Sequence, residues 1–292
     1  MVSPPRPKMP GLNALRAFES AARHQSFADA AAELSVTPGA IAQQVKSLEI
    51  WVGKKLFKRL SQGVELTALG ASTLSDFTTA FDTLGEAVTK LRANAAPEEV
   101  RIVALPSIAQ LWLSPKLPQI RAAMPDIIIS LSALEQPPIM KREPYDLSVF
   151  YNDAPFVENT IAVSDDWLYP VCSPEIARRL NRPEDLLDQV LLHDTTWSED
   201  WKNWFDYFLP DKELPLTGPA YSLYSLAVEE AKNSAGILMG HSTLIGEQLA
   251  SGALVSPFDY KLDIKRCLTI EMAGHGANRS VLQNIIERLL AK

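Results

Sequence analysis

The sequence predicts an α/β protein with an all-α-dominated head, and three stretches carry that expectation. Between residues 12 and 48 apolar side chains recur at helical spacing in three short segments. Leu74, Phe77, Phe81, Leu84, Val88 and Leu91 then step strictly by three and four, an a/d seam along one helix. From Val100 onward short apolar runs alternate with helical patterns, as in a sheet with crossover helices. The order is a helix-turn-helix, a pairing rod and a ligand-sized domain.

At 292 residues the chain is long enough for two folded domains with ordinary cores. The net charge of −7 argues against nucleic acid only if taken whole. Residues 1–67 carry nine Lys and Arg against five Asp and Glu, a net +4, and the remainder carries −11. The basic head is where phosphates are met. No run approaches the ~18 apolar residues of a membrane span. Residues 1–9 read as a Pro-rich disordered arm without the apolar stretch of a signal peptide, so a cytoplasmic location is expected. Cys172 and Cys267 lie far apart, as reduced thiols do. His24, His193, His241 and His275 show no ligand spacing, so neither metal nor cofactor is expected.

Leu12, Leu15, Phe18 and Ala22 form the buried face of a first helix. Ser26 is placed to cap a second, with Asp29 as a weaker capping-box partner, and that helix buries Phe27, Ala30, Ala31 and Leu34. Thr37 caps a third, and Pro38 suits its first turn because the missing N–H has no partner there. Ile41, Val45 and Leu48 face inward, leaving Gly39, Ala42, Gln43 and Lys46 outward. Such a helix enters a major groove, where Gln pairs with adenine and Lys meets guanine or phosphate. Leu56–Arg59, a turn at Gln62–Gly63 and Val64–Leu66 read as a hairpin wing, after which Thr67 caps the long helix. Pattern alone leaves open a three-helix bundle that binds protein instead.

The runs Leu12–Phe18, Ala21–Phe27, Ala30–Leu34, Thr37–Ile41, Gln44–Glu49, Leu56–Arg59 and Leu66-Thr67-x-x-Gly70 together resemble the winged helix-turn-helix of LysR-type transcriptional regulators. The resemblance implies DNA contacts from Pro38, Gly39, Ala42, Gln43, Lys46 and Arg59. Two positions depart from the pattern. A small hydroxyl residue is usual where Ala42 stands, and Arg or His is frequent at Gln43, so phosphate anchoring and base preference should both differ.

The heptad seam rides on a helix expected over residues 68–93, matching the family's dimerising linker; the competing reading is a helix docked on its own domain. Gly85 inside it costs about 1 kcal/mol against Ala, which favours support from a partner. Residues 94–99, with Pro97, form a hinge.

In residues 100–292 the expected strands are Val100–Leu105, Ile127–Leu131, Tyr145–Phe150, Leu168–Cys172, Gly236–Gly240, Leu254–Phe258 and Cys267–Met272. Ser107 opens a helix that buries Leu113, Leu117 and Ile120. Asp146–Val149, Leu168–Pro174, Leu191–Asp194 and Leu244–Val255 resemble the same family's two-lobed effector domain, similar in fold to periplasmic binding proteins. They look most like the branch that contains the glycine-cleavage operon activator. Asn233-Ser234-Ala235-Gly236 departs from the Gly-x-Gly turn usual in relatives. Ser107, at a helix start where free N–H groups favour an anion, is either a ligand group or a plain N-cap. By family position Tyr151, Asn152, Trp197, Ser222 and Tyr224 face it across the crevice. Trp197, Trp201 and Trp204 stand at helical spacing, which favours core over ligand cage. His193-Asp194 has no nucleophile motif beside it.

The reading is a DNA-binding regulator controlled by a small, anionic effector and no enzyme. The resemblance further implies a dimer of dimers (a homotetramer) and contact with RNA polymerase. An exported solute-binding protein lacks its signal here, and a hydrolase lacks its G-x-S-x-G elbow. A DNA-binding regulator whose C-terminal domain binds no ligand, or senses a protein, remains the alternative.

Overall fold

The computed structural model describes residues 8–60, 63–95, 99–213, 218–274 and 279–291. The expected arm up to Pro7, Gln62 of the wing turn, Pro97 of the hinge and His275 lie outside them. Two compact units emerge, one through Ala87 and one from Val88.

In the first unit α1 (Leu12–His24), α2 (Phe27–Glu33) and α3 (Pro38–Val52) form the helical body. Ser26 accepts from the Asp29 amide and Thr37 from the Ala40 amide, both at 3.2 Å. Each such cap contributes about 1 kcal/mol. Leu15, Phe18, Ala30, Ala31, Ile41, Val45 and Leu48 are buried. Leu12, expected among them, is 48% exposed: it opens α1, ahead of the Ala14–Leu15 turn where burial begins.

The wing is β1 (Phe57–Arg59) paired antiparallel with β2 (Val64–Leu66). Phe57 meets the Phe18 and Phe27 rings edge-on at 5.7 and 5.5 Å. Glu49, on the last turns of α3, is buried and holds the approach to the wing. It accepts from the Leu56 and Phe57 amides at 2.9 and 3.4 Å and from the Lys55 ammonium at 2.6 Å. Burial pushes its pKa up, but those donors outweigh burial and hold it below the usual carboxylate value.

The long helix α4 (Ala68–Ala95) runs slightly past its expected end. Thr67 caps it through the Gly70 amide. A Cβ on Gly70 would lie 2.5 Å from the Leu56 carbonyl oxygen, so only glycine lets the helix start against the wing. The heptad seam divides. Leu74, Phe77 and Phe81 pack on the head's own core, with Phe77 edge-on to Phe18 at 5.6 Å. Leu84, Val88 and Leu91 are exposed.

The second unit has one mixed sheet, ordered β4-β3-β5-β10-β6-β9-β7-β8. Its strands are β3 (Glu99–Ala104), β4 (Ile128–Ala133), β5 (Leu147–Asn152), β6 (Thr160–Val171), β7 (Leu191–Asp194), β8 (Ala220–Tyr221), β9 (Ile237–His241) and β10 (Leu262–Met272). The helices are α5 (Pro106–Ile108), which continues as a π-helical turn Ala109–Leu113, α6 (Leu117–Ala123), α7 (Pro174–Ala177), α8 (Asp200–Phe208), α9 (Tyr224–Lys232), α10 (Gly246–Ala250) and α11 (Arg279–Leu290). One lobe holds the parallel trio β4-β3-β5, the other the parallel trio β9-β7-β8.

Strand β6 serves both lobes. Thr160 to Asp165 pair with β10 beside β5, whereas Leu168 to Val171 pair with Leu238 to His241 of β9. The β10 register slips between Asp263 and Cys267 at the same level, with Lys265 at a φ of 53°. This is where the chain crosses between lobes. Two expectations fail locally. Leu254–Phe258 is no strand: Val255 alone bridges Cys172, and Pro257 has no N–H to extend a ladder. Ser107 does not open its helix: Leu105 is the N-cap and Ser107 sits in the first turn.

Glu49→Gln removes the charge that gathers three donors, so the head should lose about 1–3 kcal/mol, read from its chemical-denaturation midpoint in the full chain. Because the native pKa is depressed, this contribution is whole above the unfolded carboxylate pKa and fades as pH falls through the native value. The gap between wild type and variant should therefore narrow in acid. An equal midpoint at neutral pH would refute the anchor.

Candidate nucleic-acid interface and ligand site

Of the six residues implied to touch DNA, Pro38, Gly39, Gln43 and Lys46 lie exposed on α3 and Ala42 is half-buried among them. Gly39, Gln43 and Lys46 share the face opposite Ile41, Val45 and Leu48, with Ala42 at its edge and Pro38 exposed in the first turn. Lys46 has no acidic partner among the described residues, leaving its ammonium for an external anion. Arg59 belongs to β1, but its side chain lies outside the described residues.

The head also carries an apolar pocket of about 340 Å³, bordered by Met9, Leu15, Trp51, Val52, Leu69 and Phe77. Ile50 and Trp51 beside it are 72% and 59% exposed. The sequence reading did not single these residues out. The available signal was the unbroken apolar run Ile50-Trp51-Val52 after the buried Leu48.

In the second unit, Ser107, Ser222 and Tyr224 line one small cavity together with Glu135, Thr196 and Leu223. Its volume is about 10 Å³, room for one water-sized group. The Ser107 hydroxyl is buried and has no hydrogen-bond partner among the described residues. Since Leu105 is the N-cap, Ser107 does not perform the capping role that was its plainer reading. Tyr224 is buried and its hydroxyl is already engaged, donating to the Met239 carbonyl and accepting from the His241 amide. Only its ring is left for another molecule.

Trp197 packs edge-on against Tyr151 at 5.8 Å and Tyr224 at 5.2 Å. It does not share the fate of Trp201 and Trp204, which are buried on α8 and donate to the Leu192 and Tyr260 carbonyls. Tyr151 and Asn152 part company because neighbours on a strand face opposite sides. The Tyr151 hydroxyl bonds the Thr243 hydroxyl, while the Asn152 amide donates to Thr269 at 2.6 Å. Asn152 is thus not brought to the side that holds Tyr151 and Trp197.

The histidine that matters chemically is not His193. His241, fully buried at the end of β9, has Nδ1 2.6 Å from Asp166 Oδ2 and Nε2 2.9 Å from Asp200 Oδ2. Asp166 Oδ1 also accepts from Ser242 Oγ and from the amide and hydroxyl of Thr243. Burial lowers the His241 pKa, but the two carboxylates outweigh burial and carry it up to about 9. Asp166 is held below its ordinary value by His241 and its other donors despite burial. A hydrolytic relay pairs the imidazole with a nucleophile, and here the groups beside its two nitrogens are carboxylates.

Two family patterns match the chain. Residues 12–71 match the bacterial regulatory helix-turn-helix protein, lysR family, and residues 93–268 the LysR substrate binding domain. The glycine cleavage system transcriptional activator of Escherichia coli K12 is 34% identical over 98% of this chain and 94% of its own. The regulator DsdC of the same organism is 35% identical over 85% and 82%. Among solved structures, the AmpR effector domain of Pseudomonas aeruginosa superposes with a TM-score of 0.54, at 22% identity, over 66% of this chain and 94% of that one. ArgP from Mycobacterium tuberculosis superposes with a TM-score of 0.54, at 17% identity, over 97% and 98%. Those two likenesses speak to fold. With both domains matched in order, and full-length relatives at 34% identity, the chain belongs to the LysR family of bacterial transcriptional regulators and is not an enzyme.

Proposed function

We propose that this regulator reads double-stranded promoter DNA through Pro38, Gly39, Ala42, Gln43, Lys46 and Arg59, and is switched by a small anionic effector held between the lobes of its second domain. The observation that carries the effector reading is the buried, unpartnered hydroxyl of Ser107. Such a group costs about 1–3 kcal/mol until something bonds it. Ser222 and Thr196 bring further hydroxyls to the same cavity, and Trp197 and Tyr151 supply an aromatic flank beside it. Glu135 at the cavity opposes an anion, which restricts the favourable side to the hydroxyls. The cavity's small volume favours the second reading, a domain that senses a protein or no ligand. Thermal denaturation of the full chain with a panel of small carboxylates and phosphates separates the two: a concentration-dependent rise supports the effector, and none across the panel supports the alternative.

Self-association enlists Leu84, Val88 and Leu91, the exposed end of the seam, whereas Leu74, Phe77 and Phe81 serve the head first. Pairing through them, extended to a dimer of dimers, presents two or more heads to half-sites in the cytoplasm, where RNA polymerase is met. Replacing Leu84 and Leu91 by Glu should yield monomers in sedimentation, with helix content kept; an unchanged oligomer would remove the seam from the interface.

Lys46→Ala should weaken binding to all duplex sequences and reduce the salt slope of log affinity by about 1. Equal affinity and slope would deny Lys46 a phosphate. Sequencing the genomic fragments that the purified chain retains at near-physiological salt tests the whole reading. A few promoters sharing a dyad are expected, whereas uniform, salt-labile retention would overturn selective recognition.

A further inference from the structure

We propose that Asp166, His241 and Asp200 form a charged clamp at the lobe crossover, and that His241 is the positioning residue for the aromatic wall of the crevice. The inference rests on reading that crevice as the effector site.

Carboxylates flank the imidazole on both sides: Asp166 Oδ2 lies 2.6 Å from Nδ1 in a hydrogen bond, and Asp200 Oδ2 lies 2.9 Å from Nε2 as an ionic contact off the N–H line. Opposite charge beside both nitrogens favours the protonated ring. The three partners come from different parts of the lobe architecture. Asp166 sits on β6 at the break in its ladder with β10, between Asp165 and Trp167, two residues before pairing with β9 begins. His241 ends β9, and Asp200 opens α8.

Trp197 rests on this clamp, its ring centroid 4.0 Å from that of His241. The short segment that carries Thr196 and Trp197 is tied at both ends. At one end Asp194 Oδ1 accepts the Thr196 and Trp197 amides at 2.8 and 3.0 Å; at the other Asp200 reaches His241. Tyr224 and Tyr151 pack on the same imidazole at 5.3 and 6.0 Å. The groups facing His241 are therefore Asp166 from β6, Asp200 from α8, Tyr224 from α9 and Tyr151 from β5. Asp194 of β7 adds a carboxylate field, and Arg266 of β10 acts on Tyr151. With the carboxylates ionised, deprotonating His241 leaves buried negative charge under Trp197 with nothing to balance it. The native pKa is raised from 6.5 to about 9, so the clamp's contribution is whole below about 6.5 and is lost as pH rises through 9.

Protonated imidazole quenches a stacked indole more strongly than neutral imidazole does. The test is tryptophan emission of the ligand-free full chain from pH 7 to 10, with Trp197→Phe subtracted to isolate Trp197. Emission should rise with a midpoint near 9. Asp200→Asn should lower that midpoint by about one unit or more, and His241→Gln should abolish the transition. No Trp197-dependent transition, or one that persists in His241→Gln, would overturn the clamp. If His241→Gln fails to fold, Asp200→Asn still carries the test, and an unmoved midpoint overturns it. Hydrogen exchange at pH 7.5 separates positioning from bulk stability. In Asp200→Asn, amides of 195–200 and 237–243 should exchange several-fold faster while α11 is unchanged; uniform acceleration across 100–291 would refute positioning. None of these readouts uses a ligand, so the carboxylate and phosphate panel can fail while the clamp stands, and the reverse.

Discussion

Strand β6 has to be two strands at once, and the second domain is arranged around that constraint. Its first half completes the sheet of one lobe and its second half completes the sheet of the other. Its ladder with β10 is interrupted between Asp165 and Trp167, and pairing with β9 begins at Leu168, so polar groups near this break need side-chain partners. Asp166 stands there, and it is buried with four hydrogen bonds gathered from His241, Ser242 and Thr243. The cost of placing a carboxylate in the interior is met by an imidazolium that a second carboxylate also grips. Removing one partner of a buried ionic pair typically costs roughly 3–5 kcal/mol, far more than loss of an exposed, screened pair such as Lys202–Asp206. The crossover is therefore the electrostatically expensive place in the fold, and the crevice residues Trp197 and Tyr224 are built on it.

The head meets a different demand, since it must keep one helix rigid while leaving its outer face bare. Helix α3 does this by burying Ile41, Val45 and Leu48 and by using Glu49 to seize the backbone that leads into the wing. The outward residues carry no structural duty, which leaves their side chains to whatever they meet. The same economy explains the divided seam. Its first three apolar residues stiffen the head, and the last three are left to solvent.

Much of this was legible from neighbours in sequence. Caps at Ser26 and Thr37, Pro38 in the first turn and the inward trio of α3 are local arrangements, fixed within four residues, and the wing turn with Gly63 is equally local. What the sequence hid were pairings over long separations. Nothing near His241 announces Asp166, 75 positions away, so His193-Asp194 drew attention merely because its members are adjacent. Spacing also grouped Trp197 with Trp201 and Trp204, although α8 begins only at Asp200 and leaves Trp197 on a different face. Leu254–Phe258 has the composition of a strand, but pairing is limited to Val255 with Cys172. The alternation of Tyr151 and Asn152 could have been applied once both were placed on β5.

Gly70 bears on how motion passes through the head. The backbone at the start of α4 approaches the Leu56 carbonyl so closely that a single methyl would strike it. Thr67 adds a hydroxyl bond to the same carbonyl, and Phe77, two turns on, meets Phe18. Helix and wing are in direct backbone register, with no cushion of side chains to absorb slip. A torque applied along α4 must therefore turn the reading helix and the wing together, as a shaft keyed to its gear.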